Sequence, residues 1–174
     1  MKRIAWTELA ARRIGLHARA SLLFVAVLIQ NAEQVLYLPG WLTAQRPDFV
    51  WPGPAQYAVA AVLMTLVAAA VVIVGQQRRF AVVHAWALAI LAGTLVMSAA
   101  GHVLMSVATL GVMPGVVTGV ALLGPVALWV LTGLVAERRL SARGAAIATG
   151  IGIVAMPLAW GAALRLAERM LAQG

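Results

Sequence analysis

From Phe80 to Ala136 the chain carries no Asp, Glu, Lys or Arg. No other feature limits the fold as strongly. A water-soluble domain cannot cover so long a segment with polar surface, whereas a bilayer asks for runs of about 20 apolar residues per spanning helix. The segment holds two such spans. "GVMPG" (Gly111–Gly115) is its strongest break, because Pro lacks the donor that a helix interior needs, so a hairpin is predicted there. Composition agrees: charged residues make up 10% of the chain, against roughly 25% in soluble domains, and mean hydropathy is +0.96. The predicted class is all-α, a single-domain integral membrane bundle of about five transmembrane helices.

The spans are placed at 21–38, 56–75, 80–110, 116–136 and 144–164, with Pro157 as a kink in the last. Residues 1–19 intersperse Lys2, Arg3, Arg12, Arg13 and Arg19 with Ile4, Trp6, Leu9 and Ile14, the pattern of a basic amphipathic segment lying on the membrane. This mixed start does not read as a cleaved signal peptide. The first span is expected to stop at Pro39-Gly40, where "PGWLTAQRPDFVWPGP" begins an interfacial loop with Trp41, Phe49 and Trp51 at headgroup depth. Cysteine is absent, which excludes thiolate metal sites.

The net charge of +8 sits in short clusters between apolar runs. That reads as topology and contact with anionic membrane lipids, not as a nucleic-acid surface. A cytoplasmic N-terminus places ten of the thirteen basic residues inside and leaves Arg46, Arg165 and Arg169 outside. Arg165 and Arg169 oppose the rule, so the side of the C-terminus stays open. Gly111, Gly115 and Gly119, and then Gly144, Ala148 and Gly152, have the spacing that lets helices approach closely. Compact packing within one bundle is the plain reading, and an oligomer face or partner subunit is the other.

"LLFVAVLIQNAEQVLYLPGW" (Leu22–Trp41) puts Gln30, Asn31, Glu33 and Gln34 inside the first span. At 100° per residue, Glu33, Gln34 and Tyr37 lie about −60°, +40° and −20° from Gln30, so the four share one face. On the third span Thr94, Ser98, His102, Ser106 and Thr109 form a stripe that also takes in His84, nearer the basic end. A carboxylate at bilayer depth costs at least ~2.5 kcal/mol and is kept where it meets a partner or a wet cavity. Glu33 and His102 are therefore expected to face each other across a polar cavity opening outward, although counting from Pro39 and from Pro114 puts them at depths differing by ~9 Å. A structural clamp between helices explains the pair equally well. Ser and Thr bonding back to their own helix explains part of the stripe, and snorkelling to the interface is the plain reading of His84.

These residues resemble a family of small bacterial multi-pass membrane proteins named for an HXXEE signature near the outer end of the first span. "QNAEQVLYLPGW" occupies the place of that signature, "SAAGH" (Ser98–His102) that of an Asn-x-x-x-His pair, and "MPGVVT" (Met113–Thr118) that of a Pro-Gly hairpin followed by Thr. Gln30 stands where the pattern has His, Gln34 where it has the second Glu, and Ser98 where it has Asn. The resemblance implies a bacterial inner-membrane protein. It also implies that the family's two His and two Glu suit a divalent metal acting on a hydrophobic substrate, while the amides here suit a neutral polar group held by hydrogen bonds.

Three functions follow. In the first, Glu33 and His102 are the acid/base or anchoring pair of a pocket for a lipid-like or small hydrophobic molecule, with Gln30, Gln34, Tyr37 and Ser98 orienting it. The second is a proton-coupled transporter using the His84–His102 stripe, and the third a non-catalytic subunit that docks a partner through its arginines. No nucleophile, nucleotide-loop or haem motif appears, and the residues leave open whether the chain is an enzyme.

Overall fold

The computed structural model describes residues 14–74 and 81–173. The basic amphipathic segment expected at 1–19 falls mostly outside the described residues. Five helices follow one another: α1 (Leu16–Gln45), α2 (Pro54–Val74), α3 (Ala81–Ala108), α4 (Val116–Ala136) and α5 (Ala142–Ala172). Each is long and apolar enough to cross a membrane, and there is no strand among the described residues. The all-α membrane bundle is the observed class.

Helix α1 does not end at Pro39-Gly40. Pro39 sits inside it and the helix runs on to Gln45. A proline within a spanning helix removes one backbone bond, a loss that neighbouring groups make good in lipid. Thr43 donates its hydroxyl to the Pro39 carbonyl at 3.0 Å. At 1.5 Å per residue the thirty residues of α1 rise about 45 Å, more than the thickness of a hydrocarbon core of about 30 Å. Helix α5 likewise overruns the 144–164 span at both ends. It is capped by Ser141, whose Oγ accepts from the Gly144 amide at 3.0 Å.

Small residues set the packing. The larger side chains fully inside are Leu23, Leu88, Leu123, Val130 and Leu134; alanines fill most of the remaining core. Van der Waals contact between close backbones replaces the hydrophobic effect as the force between helices in lipid. Gly144, Ala148 and Gly152 of α5 are buried, and Gly152 lies against the Thr94 side chain and the Ile90 carbonyl of α3. At the other end of α5, Ala163 and Ala167 pack with Ala60 of α2. α5 thus crosses from α3 to α2 along its length.

Arg19 ties the first turns of α1 to the end of α4. The residue is 9% exposed, and its guanidinium stacks 4.9 Å from the Trp129 ring centroid and lies 3.7 Å from Glu137 Oε1. Gly133 leaves room for it, and Nε–H donates to the Ile14 carbonyl at 2.9 Å. The hydrogen bond, the ion pair and the indole face together offset the cost of taking this charge so far from water. His84 also faces inward, at 5% exposure, instead of snorkelling to the interface.

The glycine contact between α3 and α5 yields a direct test. A Cβ at Gly152 meets the Ile90 carbonyl oxygen at 2.8 Å as well as the Thr94 hydroxyl, whereas one at Gly150 meets nothing within 4 Å. Gly152→Ala is expected to cost about 1–3 kcal/mol by overpacking, and Gly150→Ala to be neutral or slightly stabilising. Thermal denaturation of both variants in the same detergent checks the difference.

Candidate functional site

The site forms where α4 begins. Helix α3 runs six residues, about 9 Å, beyond His102 before ending at Ala108, and residues 109–115 then turn back. Leu110 (φ 51°) and Gly115 (φ 91°) make the turn. The Ser106 hydroxyl donates to the His102 carbonyl at 2.8 Å and accepts the Met113 amide at 3.0 Å, which pins the hairpin to α3. The N-terminus of α4 therefore lies inside the bundle, level with Gln30–Gln34 of α1.

A helix start leaves backbone N–H groups without partners, and no side chain of α4 caps this one. Glu33 does so from α1. Its Oε1 accepts the Gly115 amide at 2.8 Å and its Oε2 accepts the Thr118 hydroxyl at 2.6 Å. Thr118 Oγ1 also lies 2.8 Å from Gln30 Oε1, while Gln30 Nε2 is buried with no partner. A hydroxyl has one proton, and the shorter contact to the carboxylate takes it. With the Gln30 amide turned over, Nε2–H donates to Thr118 and the amide oxygen takes the place without a partner, so the buried donor is satisfied and an acceptor is left in its stead.

Gly115 is required twice. Its φ of 91° is left-handed, where a side chain strains the backbone. A Cβ there meets Gln30 Nε2 at 2.9 Å and His102 Nε2 at 3.0 Å. Just after it, Gly119–Leu123 form a π-helical turn, with the Gly124 amide bonded to the Gly119 carbonyl. Pro125 follows; its ring cannot tolerate the carbonyl four residues back, and widening the turn relieves that clash.

A second network lies on the far side of Gly115. His102 is 7% exposed. Its Nδ1 is 2.7 Å from the Ser98 carbonyl, which can only accept, so Nδ1 carries the hydrogen. Nε2 then accepts from Gln34 Nε2 at 2.7 Å. Gln34 Oε1 accepts from the Tyr57 hydroxyl at 3.2 Å. Through Gln34 the imidazole of α3, the amide of α1 and the phenol of α2 form one neutral chain. Asn31 adds a further tie, donating to Thr65 Oγ1 of α2 at 2.7 Å.

Beside this chain lies a cavity of about 300 Å³ between α1, α2, α3 and α5. Gln30, Asn31, Gln34 and Ser98 line one part of it, and Met64, Met156, Trp160 and aliphatic side chains line the rest. Of the six residues singled out from the sequence, Gln30, Gln34 and Ser98 reach the cavity wall. Glu33 and His102 flank Gly115 without bonding to each other. Tyr37 stands apart, 63% exposed. The buried face of α1 follows Gln30, Gln34 and Leu38, a line centred about 60° away from Tyr37. The tyrosine that does join is Tyr57, near the start of α2, and Thr65 was likewise not anticipated. Only the expectation that a spanning helix hides its few polar groups against a neighbour could have pointed to them.

The residues do not fit a divalent metal. Both Glu33 oxygens and both His102 nitrogens are already engaged, the neighbouring positions carry amides, and no three His, Asp or Glu side chains converge among the described residues.

A family model described as "Protein of unknown function with HXXEE motif" matches residues 21–130. Comparison with curated proteins and with solved structures returned no match.

The clamp on α4 is measurable. A double-mutant cycle of Glu33→Gln and Thr118→Val is expected to show a coupling of about 1–2 kcal/mol in unfolding free energy. Tyr37→Phe is expected to change stability by less than about 0.5 kcal/mol. Reversible denaturation in mixed micelles supplies both numbers.

Proposed function

The chain belongs to the HXXEE family, and we propose that in this member the signature segment Gln30–Gln34 walls an intramembrane pocket that binds a small apolar molecule with one polar end. The observation that carries this reading is the meeting of an apolar cavity with three neighbouring amides of α1. Gln30, Asn31 and Gln34 all border the same space of about 300 Å³, at the lower end of the range typical of small-molecule pockets.

The amides are the recognition groups. Gln34 is held by His102 and Tyr57 and Asn31 by Thr65, so little ordering is left for a ligand to impose. Glu33 and His102 act as positioning residues: the first fixes Gly115 and Thr118, the second fixes Gln34. Thioether, indole and aliphatic groups of the remaining wall match an alkyl or isoprenoid-like body. Val67 and Ala155 border the cavity, and both are exposed on the flank, midway along α2 and α5. An entrance there faces lipid, so the ligand is a molecule dissolved in the bilayer. The positive-inside rule turns the Arg19–Glu137 end towards the cytoplasm, and the bacterial inner membrane is what the resemblance to the family implies.

The test is chemical. Protein purified in mild detergent is expected to carry one apolar species in near-stoichiometric amount, seen by mass spectrometry of its organic extract. Ala68→Phe puts a ring into the cavity from a buried lining position and is expected to remove that species. Tyr37→Phe, outside the wall, is expected to leave it. Identical extracts from all three proteins, with no enriched species, refute the pocket.

A further inference from the structure

The end of the bundle that carries the α1–α2 loop holds a second concavity, separate from the central one. It measures about 380 Å³ and is bordered by Trp41 near the end of α1, Arg46, Phe49 and Trp51 of the loop that follows, Met105 of α3 and Thr109 just after it. The loop is built. The Phe49 amide donates to the Arg46 carbonyl at 3.2 Å, Trp51 Nε1 donates to the same carbonyl at 3.0 Å, and the Phe49 and Trp51 rings stand 4.5 Å apart. These bonds hold the two tilted aromatic rings together on one side of the groove, which Trp41, Met105 and Thr109 also border.

Its depth follows from helix length. With about 45 Å of rise, α1 is longer than the hydrocarbon core, and the charged and aromatic residues that follow its last turn match the zone where headgroups lie. Of the two charges there, Arg46 borders the groove and Asp48 adjoins it through Arg46: Arg46 Nε and Asp48 Oδ1 are 3.3 Å apart, with side chains 64% and 69% exposed. A pair so exposed contributes little by itself, and each partner is free to exchange the other for a ligand group. Arg46 offers planar donors suited to a phosphate. Asp48 offers a carboxylate to an ammonium group, and the indole and phenyl faces attract the same cation.

We propose that this groove seats the headgroup of a zwitterionic phospholipid from the leaflet at that end, with phosphate on Arg46, ammonium on Asp48 and the aromatic rings, and the glycerol against Met105 and Thr109. A phosphate and an amine joined by a two-carbon link carry, in one molecule, the two charges complementary to Arg46 and Asp48. An anionic lipid satisfies Arg46 but meets Asp48 with repulsion. The site is independent of the central pocket and shares no lining residue with it.

The test uses the full chain in nanodiscs of equal parts phosphatidylethanolamine and phosphatidylglycerol, extracted into detergent, with the lipids retained per protein measured by mass spectrometry. Wild type is expected to retain phosphatidylethanolamine above its share. Arg46→Gln is expected to cut that retention about fivefold, the scale of one exposed charged contact. Asp48→Asn is expected to shift retention towards phosphatidylglycerol. Basic residues at the opposite end hold anionic lipid equally in all three proteins, so the comparison reports on the groove. Both side chains are exposed, and an unchanged thermal midpoint shows that the variants fold. The same lipid ratio in wild type and both variants overturns the proposal.

Discussion

The N-terminus of a helix lies buried in this bundle, and a carboxylate from another helix caps it. The cost of placing Glu33 in the membrane is about 2.5–3.5 kcal/mol. Against it stand two charge-assisted hydrogen bonds, from Gly115 N–H and the Thr118 hydroxyl, each contributing about 1.5–3 kcal/mol. The partial positive charge at the start of α4 adds up to about 2 kcal/mol in a partly buried setting. The balance favours the pair. Neither partner is stable there alone, because the carboxylate lacks donors without the helix and the helix lacks an acceptor without the carboxylate.

The rest of the site's geometry depends on that pairing. Because α4 starts inside the membrane, the hairpin folds back against α3, and Gly115 comes to lie between Glu33 and His102. The π-turn and Pro125 then adjust the register so that Leu123, Ala127, Val130 and Leu134 pack inward below. On the other side of Gly115, a neutral chain from Tyr57 through Gln34 to His102 and the Ser98 carbonyl sets the three helices around the cavity. The carboxylate of Glu33 lies on one side of this glycine, and the uncharged groups of Gln34 and Tyr57 lie with His102 on the other.

Much of this was legible in the sequence, for reasons local to each helix. Apolar runs of spanning length marked all five helices, and Pro114-Gly115 marked the hairpin. The rarity of an acidic residue in hydrocarbon marked Glu33. Depth was misjudged because Pro39 reads as a stop. With α1 extended to Gln45 and α3 ended at Ala108, Glu33 lies twelve residues from its helix end and His102 six, so neither Pro39 nor Pro114 marks the depth at which the two side chains flank Gly115. Angular counting put Tyr37 on the polar face, but it could not say which edge of that face the neighbours cover. Arg19 and Glu137 are 118 positions apart in the chain, and Tyr57 and His102 meet only through Gln34. Contacts of that range leave no periodic trace in a single sequence.

The departures from the HXXEE pattern acquire a physical meaning in this setting. A glutamate at position 34 would stand beside Tyr57 and His102, adding a second carboxylate next in sequence to Glu33, and only one helix N-terminus is present to offset the two. An imidazole at position 30 would need a donor or acceptor matched to Thr118, whose single proton is already committed to Glu33. An amide meets both demands. It offers a donor at one end and an acceptor at the other, and it can turn over to suit its neighbours without changing charge. Gln30 uses this against Thr118, and Gln34 uses both of its ends at once, between His102 and Tyr57. This member of the family thus keeps the one carboxylate that the buried start of α4 can stabilise and replaces the second with a neutral group, so that its polar wall carries hydrogen bonds and no net charge into the cavity.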